Sequence, residues 1–197
     1  MVGVASPDAA AAPPPPVITR PAAARAERHV DATLVIGTPV PETELLRKPA
    51  TYNPEQFDGK AFAPLALAIA REKYPDAGLV TMELTPVGAS GLVDLTAEDA
   101  NAEFMFRSPT HQGNCYVEVV AHAKQVIARV RDMSTDAKCR APLRQLPRCS
   151  IASVWKKTPG VQPAQLLKIS FLSDGAWFAS NLTDDDDLSE TIKDACP

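Results

Sequence analysis

The sequence predicts the α+β class, with an antiparallel sheet of about five to seven strands, two short packed helices and a disordered Pro/Ala-rich N-terminal arm. One observation is the period of two at residues 79–85, where Val80, Met82 and Leu84 alternate with polar side chains. A second is the succession of short strand-like runs separated only by turns, which favours antiparallel neighbours because parallel strands need long crossovers. The third is a pair of short stretches with helical spacing, each followed by a proline.

The N-terminal region is dominated by small residues and prolines. Residues 1–26 contain nine Ala and six Pro, so they are predicted to form a disordered linker. The abrupt start of this linker suggests a signal peptide or membrane anchor upstream, in which case the chain is a fragment of a larger protein. Residues 27–57 are predicted to be an extended transitional segment with at most one edge strand, at 33–36, because prolines interrupt the rest.

The single α+β domain is predicted to span residues 58–183 and to begin with a helix at 62–74. Pro64 suits a first helical turn, and apolar residues follow it at helical spacing. The helix is expected to end at Tyr74, because Pro75 disfavours helical backbone at the residue before it.

Beyond the first helix, β-like runs alternate with turn-forming residues. The pair Asp174-Gly175 is a strong hairpin signal that leads into Trp177 and Phe178. The other predicted strands are 79–85, 92–96, 102–107, 115–122, 126–131 and 167–171.

A second helix and an acidic tail complete the predicted organisation. Ser150 can cap a helix at 151–157, which Pro159 ends. Residues 184–197 are predicted to be an acidic tail tied down by Cys196, either solvated or forming a helix at 188–195. Six acids and one Lys follow Thr183, a charge of −5, so the rest of the chain carries +1 of the total of −4. Such a chain lacks the basic excess that nucleic-acid binding needs.

The four cysteines, Cys115, Cys139, Cys149 and Cys196, form an even set without a CxxC pair. Zinc fits poorly, because structural sites use closely spaced ligand pairs and none occurs here. Two disulfides are the favoured interpretation, although four cysteines allow three pairings. The short separation of Cys139 and Cys149 suggests a bridge between them, which leaves Cys115 for Cys196. Disulfides would imply an oxidising compartment, and we expect a periplasmic or secreted protein.

The most enzyme-like feature is Cys149, which precedes a predicted helix N-terminus where backbone dipoles lower a thiol pKa. With His111 or His122 as base, it would be a nucleophile. No family signature accompanies it, so we interpret Cys149 as a disulfide partner and both histidines as surface or rim residues.

Two polar segments invite ligand or modification hypotheses. The run Asp184–Asp187 would attract Ca²⁺, but it lacks the alternating acids and central glycine of a calcium loop. Asn181-Leu182-Thr183 matches a glycosylation sequon, which matters only in a eukaryotic secretory context. We expect neither a metal nor a cofactor.

Aromatic residues are the remaining candidates for a ligand surface. Aromatics at alternating strand positions are more often core, as we expect for Phe104 and Phe106. The alternative is a ligand groove, whose candidate residues are Tyr116, Trp155, Trp177 and Phe178.

A series of short segments carries a resemblance to known domains: Tyr74–Ala77, Gly91–Thr96, Phe104–Pro109, Cys115–Val119 and Leu146–Ser150 with Val154–Trp155. Together they resemble a group of uncharacterised bacterial extracytoplasmic domains that occur in envelope and sensor proteins, and the match would cover about residues 57–180. More loosely, a helix followed by a small antiparallel sheet is similar to PepSY-like and cystatin-like modules. The resemblance implies an envelope location and a binding or sensing role, and it brings no catalytic residues.

These observations lead us to expect a non-catalytic extracytoplasmic domain that binds a protein, a peptide or an envelope component and associates with a membrane only through an upstream anchor. One alternative is a cysteine-dependent enzyme that uses Cys149. Another is a structural subunit that docks through its N-terminal arm.

Overall fold

A computed structural model describes residues 44–47, 52–111, 114–131, 139, 141–182 and 189–196. All of them belong to one compact unit, residues 40–197. The predicted arm, residues 1–26, and the predicted strand at 33–36 lie outside the described residues, as does most of the acidic run.

Two helices and eight strands form this unit. The helices are α1 (Gly59–Lys73) and α2 (Ile151–Lys157), and a short 3₁₀ turn, Pro54–Gln56, precedes α1. The strands are β1 (Glu44–Arg47), β2 (Gly78–Val87), β3 (Asn101–Arg107), β4 (Tyr116–Ala121), β5 (Val126–Arg131), β6 (Leu167–Phe171), β7 (Ala176–Asn181) and β8 (Ser189–Lys193).

The strands form one sheet in the order β1-β5-β4-β3-β2-β6-β7-β8, and every neighbouring pair is antiparallel. The α+β class, the antiparallel sheet and the two packed helices are therefore confirmed. Strands β2 to β8 are seven in number, and the four-residue edge strand β1 is the eighth.

Helix α1 begins three residues before the predicted start. The Asp58 carboxylate accepts a hydrogen bond from the Ala61 N–H at 3.0 Å, which caps the helix at Gly59 and places Pro64 inside it. An aspartate cap provides a stronger start signal than a proline, because it satisfies an otherwise free backbone N–H. The predicted end at Tyr74 is confirmed.

Both helices cover the same face of the sheet, which we call the inner face. Strand registers align its apolar side chains in rows, such as Met82 opposite Phe104 and Phe104 opposite Val119. Both helices add buried residues to this core, among them Phe62 from α1 and Val154 from α2. One continuous core therefore lies between the sheet and the helices.

Local signals around α2 and the last hairpin are confirmed. The Ser150 hydroxyl accepts from the Ser153 N–H at 3.2 Å, and α2 spans the predicted residues. Gly175 has φ +83°, a value that glycine adopts without strain, and it turns β6 into β7.

Two predicted elements are wrong. Residues 92–96 form no strand, because only Val93 makes isolated bridges, to Phe57 and to Val87, and the Asp94 carboxylate turns the chain by accepting from the Thr96 N–H. The predicted helix at 188–195 is instead β8, because the free edge of β7 pairs with Ser189–Lys193 and places Ile192 opposite Trp177.

Candidate functional site

All four cysteines are oxidised in two disulfides, but the pairing that the sequence spacing suggested is wrong. Cys115 bonds Cys139 with Cα atoms 6.0 Å apart, and Cys149 bonds Cys196 with Cα atoms 5.0 Å apart. Residues 141–144 cross the strands: the Ala141 carbonyl accepts from Arg107 on β3, and the Arg144 N–H donates to the Leu79 carbonyl on β2. The chain has therefore left Cys139 before it reaches Cys149. Structural disulfides of this kind indicate an oxidising, non-cytoplasmic compartment.

The Cys149–Cys196 disulfide sits beside a carboxylate that holds three elements together. Asp194 accepts hydrogen bonds from the backbone N–H groups of Arg148 and Cys149, both at 2.8 Å, and from the Trp177 indole at 2.9 Å. Burial opposes ionisation of Asp194, but these hydrogen bonds and the charge of Lys60 outweigh it and lower the pKa. The chain end is thereby fixed against α2 and β7.

The four aromatics proposed for a groove do not meet in one place. Trp177 is fully buried in the main core, and its ring lies 5.0 Å from that of Phe171. Trp155 is 7% exposed in the same core, and its indole N–H has no hydrogen-bond partner among the described residues. Tyr116 belongs to a second small apolar cluster with Cys115, while Phe178 is half-buried on the other face of β7.

The proposed histidine bases have structural contacts of their own. His111 Nδ1 lies 3.2 Å from the Ser108 hydroxyl, and the His111 ring lies 4.1 Å from that of Tyr74. The backbone carbonyl of His122 accepts from the Tyr52 hydroxyl, and its side chain is exposed. Cys149 is buried and bonded to Cys196, so the thiol that a nucleophilic role needs is consumed.

The sheet face opposite the helices, which we call the outer face, carries a row of charged side chains. Glu118 is 1% exposed and forms ion pairs with Arg129 and, at 2.6 Å, with Arg131. Burial raises the pKa of Glu118, but the hydrogen bonds and charges of the two arginines prevail, so the net shift is downward. Strand β4 is consequently buried along its whole length on both faces.

A second glutamate on the outer face behaves in the opposite way. Glu103 lies opposite Glu83 on β2 and adjoins Glu118 on β4. Burial and then the charge of Glu118 raise the pKa of Glu103, and a hydrogen bond to Glu118 raises it further. Glu118 is buried and Glu103 is half-buried, so the two glutamates form a pair whose pKa values shift in opposite directions.

A cleft of about 300 Å³, the basic cleft, opens beside the β6–β7 turn. Three cationic residues line it, Arg144, Arg148 and Lys193. The Arg144 Nε donates to the Ser173 carbonyl at 2.6 Å, which holds its guanidinium over the turn. The remaining lining residues are Gln145, Leu146, Phe171, Gly175, Asp194 and Ala195.

Two other clefts differ from the basic cleft in charge. One, of about 240 Å³, includes Asp58 and Phe62, and the other, of about 450 Å³, includes Glu55 and Asp94. No Lys or Arg is among the described residues that line either of them. Positive charge therefore distinguishes the basic cleft from these two.

Sequence reasoning missed the basic cleft because its cations come from separate segments. Arg144 and Arg148 precede α2, and Lys193 ends β8. Two signals point to it in retrospect: two arginines four residues apart before a helix cap, and Lys193 three residues before a cysteine that pairs with Cys149.

No group of His, Cys, Asp and Glu in the described part of the chain is arranged to hold a metal ion. The acidic run and Thr183 of the sequon fall in 183–188, outside the described ranges. No helix among the described residues is long and apolar enough to cross a bilayer.

Comparison with protein-family models, with curated proteins and with solved structures found no match for this chain.

Proposed function

We propose that this chain is a non-catalytic binding or sensing domain of a bacterial envelope protein, periplasmic or secreted, that recognises a protein, a peptide or an envelope component. The disulfides support an exported protein, because such bonds persist outside the reducing cytoplasm. The resemblance of its segments to extracytoplasmic domains supports the envelope assignment.

The basic cleft is the observation that carries the binding proposal. Its walls come from the 144–148 segment, the β6–β7 turn and the end of β8. These walls are held together by the Cys149–Cys196 disulfide and by the hydrogen bonds that Asp194 accepts. The hydrogen bond from Arg144 Nε to the Ser173 carbonyl also joins them. A pre-formed cleft of this kind loses little conformational entropy when a ligand enters.

A photo-cross-linking experiment tests this proposal. A photoreactive residue replaces exposed Gln145 in the cleft, and a matched variant carries it at exposed Gln125 in the β4–β5 turn. Strand registers place Gln125 at the opposite end of the sheet from the β6–β7 turn. After expression in a bacterial periplasm, we expect adducts from the Gln145 position alone. Equal or absent adducts at both positions would refute the cleft as the binding surface.

The cysteine-enzyme alternative has a separate test. Iodoacetamide applied to the unreduced native protein should leave all four cysteines unlabelled, because both pairs are oxidised. Rapid, selective labelling of Cys149 at neutral pH would favour the enzyme instead.

A further inference from the structure

We infer that the basic cleft binds a phosphoryl group, in the form of a small phosphate ester or a phosphate headgroup. This inference rests on the proposed binding function and assigns its ligand class. Three cationic residues line the cleft, and the acidic groups beside them already accept hydrogen bonds from the protein.

Two of the three cations are available to a ligand. Arg148 and Lys193 are exposed, and neither side chain forms an ion pair or hydrogen bond with the described residues. Arg144 uses only its Nε toward the Ser173 carbonyl. A guanidinium fork matches the spacing of phosphate oxygens, and an ammonium adds a mobile point charge.

The neighbouring carboxylates are already occupied by protein donors. Asp194 lines the cleft, but its two oxygens accept three hydrogen bonds from backbone and indole N–H groups. Asp174, in the adjacent turn, accepts from the Ala176 N–H at 2.9 Å. These carboxylates are therefore committed to holding the fold, whereas the side chains of Arg148 and Lys193 bond none of the described residues.

The charge of the cleft suits a dianion. Among the described residues that line the cleft, three are cationic and one is acidic, which gives them a formal net charge of +2. Two further ammonium groups lie behind it, since Lys60 donates to the Arg148 carbonyl and Lys157 donates to the Ala195 carbonyl at 3.2 Å. A phosphate monoester carries about −1.5 to −2 at neutral pH, more than a single carboxylate.

The test is calorimetric titration of the oxidised full chain with glycerol 3-phosphate in a low-salt buffer free of phosphate. We expect saturable binding that weakens as salt is added. Arg148→Ala and Lys193→Ala should each weaken binding by about tenfold or more, because each removes a charge-assisted contact. The backbone bonds of Arg148 to Asp194 and Lys60 do not depend on its side chain, so thermal unfolding should show that the variants remain folded.

The matched control is Lys124→Ala, which removes one exposed cation in the β4–β5 turn at the opposite end of the sheet. It should change affinity by less than about twofold, because Lys124 lies at the far end of the strands and makes no contact with a phosphoryl group in the cleft. Equal weakening by Lys124→Ala would mean that binding follows net charge and would overturn the inference.

Two additional ligands distinguish the source of the phosphoryl group. Binding to vesicles containing phosphatidylglycerol but not to glycerol 3-phosphate, with the same variant sensitivity, would support a lipid headgroup. Acetate that binds as tightly as glycerol 3-phosphate would overturn the phosphoryl assignment. No binding of either phosphoryl probe would also overturn it, while adducts confined to the Gln145 position would still support the broader binding function.

Discussion

The sheet has two parts, the α1 end with strands β2 to β5 and the α2 end with strands β6 to β8, and they are stabilised in different ways. Strands β2 to β5 are covered by α1, which has 15 residues and buries six of them. Strands β6 and β7 are covered by α2, which has seven residues and buries three. Each end carries one disulfide, and the α2 end adds the hydrogen bonds of Asp194, which join the end of the chain to β7 and to the start of α2. Where the helix is short, these polar cross-links take over part of its role.

Truncation of one aromatic in each end should have the largest effect and test this contrast directly. Trp177→Ala and Phe104→Ala should each destabilise the protein by about 3 to 5 kcal/mol, as loss of large buried rings does. Trp177→Ala should lie at the upper limit, because Asp194 also loses a donor. Urea unfolding measures both. A loss below about 1 kcal/mol for both variants would contradict their burial.

Removal of each disulfide should have the next largest effect. The cross-links span 47 and 24 residues, so the chain-entropy relation gives about 4 kcal/mol for Cys149–Cys196 and about 3.5 kcal/mol for Cys115–Cys139. Paired Cys→Ala variants, compared by urea unfolding, measure these losses. Intact mass should rise by the mass of four hydrogen atoms when both disulfides of the wild type are reduced. A larger loss for the shorter loop would show that the α2 end does not depend on its cross-link.

Asp194→Asn should destabilise the α2 end by about 1.5 to 3 kcal/mol at neutral pH, because hydrogen bonds to a charged acceptor become neutral ones. The folded pKa of Asp194 is lowered, so its contribution exists above the ordinary value of 3.8 and disappears as pH falls through the folded pKa. The difference in stability between variant and wild type should therefore become smaller in acid. Thermal unfolding at several pH values measures this difference, and a difference that does not change with pH would contradict the prediction.

Glu103→Gln should stabilise the protein, whereas Asp194→Asn should destabilise it. The expected gain is about 0.2 to 1 kcal/mol at neutral pH, because Glu103 faces Glu83 across the strands. The folded pKa of Glu103 is raised, so its contribution is complete below the ordinary value of 4.5 and is lost as pH rises through the folded pKa. The stability gained by the variant over the wild type should thus increase with pH. Thermal unfolding at several pH values measures it, and a variant less stable than the wild type at neutral pH would contradict the prediction.

The other tryptophan of the α2 end provides a comparison for the Asp194 bond. Trp155→Phe should change stability by less than about 1.5 kcal/mol, because an apolar ring stays in the core and the lost N–H has no partner among the described residues. Trp177→Phe, which breaks a hydrogen bond to Asp194, is the matched comparison. Equal losses in urea unfolding would show that the Asp194 bond contributes nothing.

Local signals allowed much of the fold to be predicted. The Ser150 cap, the Asp174-Gly175 turn and the stop before Pro75 each act over a few residues, so the sequence around them sufficed. The predicted strand at 92–96 failed because Gly91, with φ +77°, brings this loop against α2, where a Cβ would overlap the backbone of Ala152. That contact depends on a helix 60 residues away.

The candidate site was harder to predict, because it depends on which distant segments meet. The aromatics stood out by type, yet packing separates Tyr116 from Trp177. Nothing in the sequence around Lys193 places it in the cleft, because only the pairing of β8 with β7 brings it there. The disulfide pairing likewise follows from the path of residues 141–148 across the strands, from Arg107 on β3 to Asp194 after β8, which no short-range pattern specifies.

The Cys149–Cys196 bond also determines how the protein responds to mechanical tension. A pull applied to its two ends passes from Cys149 directly to Cys196, so α2 and β6 to β8 form a closed loop that bears no force. The Cys115–Cys139 bond closes a second loop of 24 residues, so forced extension of the oxidised chain omits spans of 47 and 24 residues, about 240 Å of contour length together. Strands β6 to β8 would thus stay joined to α2 under tension, whereas the 144–148 wall of the basic cleft lies outside the loop and would be pulled away with the rest of the chain.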